Sequence, residues 1–123
     1  MANGTIAQPP ITGTRDGWTY LRVGNNVIAW SFNQRTNVTV STAWASTGLF
    51  ISGELEVASL PTFLKSGYRV SGCLAVGSQS AGVTLGRVME ENNAIRVYLQ
   101  APKSQASANC AIMVFAVGEW NGV

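Results

Sequence analysis

The sequence predicts an all-β domain built as a sandwich or a barrel, and three observations carry that reading. The segment Gly17 to Phe32 spells a β-hairpin, with aromatic residues in both arms and Gly24-Asn25-Asn26 between them. Short apolar or alternating runs recur along the rest of the chain, with turn residues at roughly 8–12-residue spacing. No segment combines a helical apolar period with capping residues.

The elements follow in order. Residues 1–16 hold Pro9, Pro10, Gly4 and Gly13 and little periodicity, so they read as an extended arm or linker, with the domain proper at 17–123. Trp18 to Val23 and Val27 to Gln34 form the first hairpin. Thr36 to Ser41 alternates Val38 and Val40 against Asn37, Thr39 and Ser41, which is a strand period. Leu49 to Val57 is a strand interrupted at Gly53. Leu60-Pro61-Thr62-Phe63 and Lys65-Ser66-Gly67 form a connection to a strand at Tyr68 to Val76. Gly77 to Gly82 is a loop of small residues. Val83 to Met89 and Ala94 to Leu99 form a second hairpin around Glu90-Glu91-Asn92-Asn93, and Ala101 to Ala108 is another small-residue loop. Cys110 to Trp120 closes the domain. Its two faces are both apolar, with Cys110, Ile112, Val114 and Ala116 on one and Ala111, Met113, Phe115 and Val117 on the other. A strand apolar on both sides is covered on both sides, so this strand predicts an oligomer.

Composition narrows the function classes. The 123 residues suffice for one core. Hydrophobic residues make up 46% and charged residues 11%, below the usual ~25%. The net charge is +2 and the basic residues form no cluster, which argues against a phosphate-tracking, nucleic-acid-binding surface. The longest apolar run, Ala111 to Val117, falls short of the ~20 residues of a spanning helix, so membrane insertion is not expected. The start lacks the basic and apolar regions of a signal peptide. Cys73 and Cys110 read as two small buried thiols, with a disulfide left open, and the absence of histidine argues against a metal site. No cofactor motif is present.

Several short motifs resemble the C-terminal domain of bacteriophage tail and head fibres. Gly17-Trp18-Thr19-Tyr20 leads through a turn to Ala29-Trp30. Thr42-Ala43-Trp44 precedes Gly48-Leu49-Phe50-Ile51-Ser52-Gly53. Leu60-Pro61-Thr62-Phe63 and the closing Val114-Phe115-Ala116-Val117-Gly118-Glu119-Trp120 complete the set. The resemblance spans residues 17–120, although residues 68–99 match only as generic strands. It implies an antiparallel β-sandwich, jelly-roll-like, assembled as a homotrimer at the tip of a virion fibre. It further implies a protein made in the host cytoplasm that binds a bacterial surface polysaccharide or teichoic acid. The N-terminal arm would then meet other fibre or virion proteins. A structural trimerisation, capping or decoration domain without receptor binding is the alternative.

The candidate ligand-binding residues are Trp44, Tyr68, Arg87, Glu91, Asn92, Asn93, Arg96 and Tyr98. Trp and Tyr rings can stack on the apolar face of a sugar. Trp18, Trp30 and Trp120 occupy motif positions and read as packing residues. Trp44 lies in a Ser/Thr/Ala loop. Tyr68 and Tyr98 fall at or near strand ends, where ring and hydroxyl can meet a ligand. The Glu90–Asn93 turn offers carboxylates and amides for sugar hydroxyls or a hard cation, against the plainer reading of a solvated turn. Arg87 and Arg96 flank it and suit a phosphate. Catalysis is not expected. Glu54 and Glu56, two apart in a strand, sit roughly 7 Å apart and would permit glycoside hydrolysis, but surface glutamates in that pattern are common.

Overall fold

The computed structural model describes residues 9–76 and 82–122. Among them the chain forms nine strands: β1 Ile11–Arg15, β2 Trp18–Val23, β3 Asn26–Ala43, β4 Phe50–Ser52, β5 Leu55–Ser59, β6 Arg69–Val76, β7 Thr84–Glu91, β8 Ala94–Ala101 and β9 Gln105–Glu119. The described residues contain no helix. Every pairing is antiparallel and all strands belong to one hydrogen-bonded sheet, which curls.

Two limbs of that sheet enclose the core. In one limb β1, β2, β3, β9 and β6 lie side by side. In the other, β8 pairs with β7 along one edge and with β4 and β5 in succession along the other. The 18-residue β3 joins the limbs: it runs beside β9 and ends against β4. The inward faces supply the core, with Val27, Ala29, Val38 and Val40 from β3, Ile95, Val97 and Leu99 from β8, and Ala108, Cys110, Ile112, Val114 and Ala116 from β9. Trp18 and Phe63, both at 0% exposure, fill the end beneath β2.

Turn chemistry sets the hairpins. Asp16 and Gly17 both take positive φ between β1 and β2, and Asn92 and Asn93 do so between β7 and β8, matching the primed two-residue turns that suit strand twist. Gly24 (φ 61°) opens the turn from β2 to β3.

The expected strands at 27–34 and 36–41 are one strand carrying a bulge. The β3–β9 register runs unbroken from Asn26↔Glu119 to Arg35↔Cys110 and shifts before Val38↔Ala108. Asn37 takes φ 56°, its N–H donates to Asn109 Oδ1 (2.9 Å), and its own Oδ1 accepts from Ser107 Oγ (2.9 Å). The extra residue turns Val38 and Val40 inward, where Ser31, Asn33 and Arg35 had faced before it.

Three further expectations are corrected. Residues 11–15, assigned to an arm, are β1, paired along its length with β2; residues 1–8 lie outside the described residues. The loop placed at 101–108 is shorter, because β9 begins at Gln105 and its polar start binds the bulge. Cys73 is exposed rather than buried, and neither it nor Cys110 is bonded. Burial pushes the Cys110 thiol above its ordinary pKa, with Arg35 opposing. Of the loop at 77–82, residues 77–81 lie outside the described residues.

Side chains stitch the limbs where no ladder does. Trp18 Nε1 donates to Ser59 O (2.8 Å), and the Arg35 guanidinium donates to Glu56 O, so carbonyls of β5 bond across to the other limb. At the Gly53 break, Ser52 Oγ accepts the buried Leu99 N–H (2.9 Å) and donates to Gly53 O (2.8 Å). Ser52→Ala leaves that N–H without a partner and is expected to cost about 1–3 kcal/mol, read from equilibrium denaturation in urea.

Candidate functional site

The outward face of the β7–β8 limb gathers most of the candidate residues. Residues 96, 98 and 100 of β8 point away from the core, because Ile95, Val97, Leu99 and Ala101 point into it. Arg87 sits opposite Tyr98 and Met89 opposite Arg96. A register shift between Leu85 and Arg87 turns Arg87 outward, and Gly86 is the extra residue. Gly86 is also the floor beneath Tyr98: a Cβ there would lie 2.5 Å from Tyr98 Cε2. Tyr98 is therefore mid-strand and laid flat over a neighbouring backbone, not at a strand end.

Trp44 reaches this face from the β3–β4 loop. Trp44 N–H bonds Leu49 O (2.9 Å), and Thr47 donates twice to Trp44 O, through N (3.2 Å) and Oγ1 (2.7 Å). Ala45 (φ 50°) and Gly48 (φ 82°) make the reversals. This tight loop holds the indole edge-on to Tyr98, with ring centroids 6.3 Å apart at 72°. Such edge-to-face pairs gain about 0.5–1.5 kcal/mol. Trp44 still leaves 41% of its surface in water. The paired rings thus form a fixed, partly wet aromatic ledge.

Charged groups continue the face toward the Asn92–Asn93 turn, about 17 Å along β8 from Tyr98. Arg96 is occupied: it forms an ion pair with Glu56 Oε1 (3.1 Å) and donates through Nε to Glu91 O (3.2 Å). Arg87 is exposed and has no hydrogen-bond or ion-pair partner among the described residues. Glu91, Asn92 and Asn93 are exposed at the turn. Among the described residues no group of three or more Asp, Glu, Cys or His side chains comes close enough to hold a metal ion.

Tyr68 does not join this site. Its hydroxyl donates to Glu90 Oε1 (2.8 Å), tying the segment before β6 to β7 across the gap between the limbs. Glu54 and Glu56 do not form a pair of carboxylates either. Glu54 precedes β5 in the Gly53 break, and Glu56 is held by Arg96.

Sequence reasoning missed Gly86, whose role depends on the bulge, and set Glu56 beside Glu54, whereas cross-strand register sets it against Arg96. It also missed a second aromatic group at the other end of the molecule. Trp120 packs on Tyr20 (5.4 Å) and Phe63 (6.2 Å), and the guanidiniums of Arg22 (4.7 Å) and Arg15 (5.6 Å) lie over its ring. A cleft of about 320 Å³ between Ser31–Asn33 and Glu56–Ser59 is open to solvent.

Comparison of the chain with family models, with curated proteins and with solved structures finds no match.

Burial first, then the hydrogen bond to Glu90 and its charge, push the Tyr68 pKa from 10.0 up to about 12. The folded state thus holds a proton that the unfolded chain releases earlier. The contribution is fully present below pH 10.0 and is lost as pH rises through about 12. Thermal unfolding across that window is expected to show the wild type losing its advantage over Tyr68→Phe.

Proposed function

We propose that this chain is a bacteriophage virion fibre domain that binds the bacterial surface without covalent chemistry, through a polysaccharide or teichoic acid. The observation that carries the reading is the Trp44–Tyr98 ledge, a solvent-accessible aromatic pair fixed by a tight loop and a glycine floor. Beside it stands Arg87, without a partner among the described residues, which suits a phosphate or uronate, and beyond it the amides of Asn92 and Asn93, which suit sugar hydroxyls. Tyr98 and Arg87 are carried on strands, which hold a site's geometry more precisely than loops do. The all-β fold and the motifs at 17–32, 42–53, 60–63 and 114–120 support the same reading.

In this reading the curled sheet is a jelly-roll-like β-sandwich and the assembly is a homotrimer. Each ledge binds weakly, and several copies on one fibre raise the avidity. The N-terminal segment meets other virion proteins, no cofactor or catalytic step is needed, and the protein resides in the virion after synthesis in the host cytoplasm. A second reading, a structural trimerisation or capping domain, is favoured by one observation: the broad apolar face on the other limb.

A panel of purified cell-wall polysaccharides and teichoic acids, titrated while tryptophan fluorescence is followed, separates the two. The receptor reading expects saturable binding that Trp44→Ala weakens by about 2 kcal/mol, roughly 30-fold. Absence of binding across the panel, or binding indifferent to Trp44→Ala, supports the structural reading.

A further inference from the structure

The outward face of the β1–β2–β3–β9–β6 limb is apolar where water should have selected polar residues. Cross-strand register sets Leu21 beside Ile28, Ile28 beside Val117, Trp30 beside Phe115 and Phe32 beside Met113. Val23 (49%), Ile28 (49%), Phe32 (53%) and Val117 (51%) leave about half of each residue in water. Thr12, Thr14, Thr19, Ser71 and Cys73 share the face, and its centre carries no charge.

We propose that this face is the interface between copies of this chain. Two arguments select a second copy as the occupant. The first is area. At roughly 150–250 Å² per large side chain, the four half-exposed residues leave about 400 Å² in water, and the half-buried Leu21, Trp30, Met113 and Phe115 extend the patch. A standard interface buries about 800 Å² per partner, about 60% of it apolar, so the patch matches the apolar share of one side. The second is charge. The centre is neutral, so two copies meet without like-charge repulsion. The rim carries both signs on one side: Arg69 lies opposite Val117 and has no acidic partner among the described residues, while Glu119 follows two residues on in an exposed pair with Lys65 (3.6 Å). A neighbouring copy can set its Glu119 against Arg69.

The interface rests on the fold alone. A copy number of three rests on the fibre reading, in which each face meets two neighbours around an axis. Light scattering on a sizing column at micromolar concentration tests both. A mass near three times 13.0 kDa is expected for the wild type. Phe32→Glu and Val117→Lys, each checked for an unchanged far-ultraviolet spectrum, are expected to give one chain mass. Ile28→Thr, a milder change, is expected to shift dissociation to higher concentration. Trp44→Ala, on the opposite limb, is expected to keep the wild-type mass. A two-copy mass that Phe32→Glu dissolves supports the interface and contradicts the trimer. A monomeric wild type overturns the inference, including one that sediments with phosphatidylglycerol vesicles, which would assign the face to a lipid surface. An assembly untouched by either charged variant overturns it as well. A wild-type assembly that binds no glycan counts against the receptor reading and leaves the interface standing.

Discussion

Between Arg35 and Val38, β3 carries one more residue than the strand it lies against, and the shape of the molecule depends on that excess. Before it, the inward side of β3 is Val27, Ala29, Ser31, Asn33 and Arg35; after it, Val38 and Val40. Without the bulge, Val38 and Val40 would point to solvent and the far end of β3 would show its polar side to the core. The bulge also adds twist, and the bent strand, still paired with β9 as far as Val40, takes β4 on the edge that β2 occupied earlier. One strand therefore serves both limbs. Asn37 can hold the left-handed conformation at modest cost, and Asn109 and Ser107 bind its backbone and side chain.

A sheet that curls onto itself spends its inward faces on one core and leaves two outward faces free to differ. Here they differ in kind. The limb around β8 presents an aromatic pair, charges and amides, while the limb around β3 and β9 presents Ile28, Trp30, Phe32, Met113, Phe115 and Val117. The gaps between the limbs are bridged by Trp18, Arg35 and Tyr68, which donate to β5 carbonyls and to Glu90. These bonds satisfy polar groups that a closed ladder would otherwise take up. Recognition by one face and assembly by the other is the division of labour that we infer.

Much of the fold was legible because alternation and turn residues agree locally. The hairpin at 17–32, the hairpin around Asn92-Asn93, the break at Gly53 and the strand ending at Trp120 all announce themselves in this way. β1 was hidden because its inward positions are Ile11, Gly13 and Arg15; the ring of Tyr20 covers Gly13 in place of a side chain, and Arg15 lies on Trp120. The start of β9 was hidden because its residues are small and polar, chosen to hold a bulge. The site was legible in composition but not in arrangement. Tyr68 and Tyr98 look alike in sequence, yet one bridges the limbs and the other lies on an outward face. The difference lies in placement: Tyr98 alternates with the buried Val97 and Leu99 of β8, whereas Tyr68 precedes β6 and reaches Glu90. What no local pattern reveals is the bulge at Gly86, which sets Arg87 beside Tyr98.

Hydroxyl-radical footprinting of concentrated and diluted protein, read residue by residue, tests this division most directly. The account predicts that Phe32 and Met113 are protected in the concentrated sample and become labelled on dilution, while Trp44 and Tyr98 are labelled in both. Protection of Trp44 and Tyr98 on concentration, with Phe32 and Met113 labelled throughout, would contradict it.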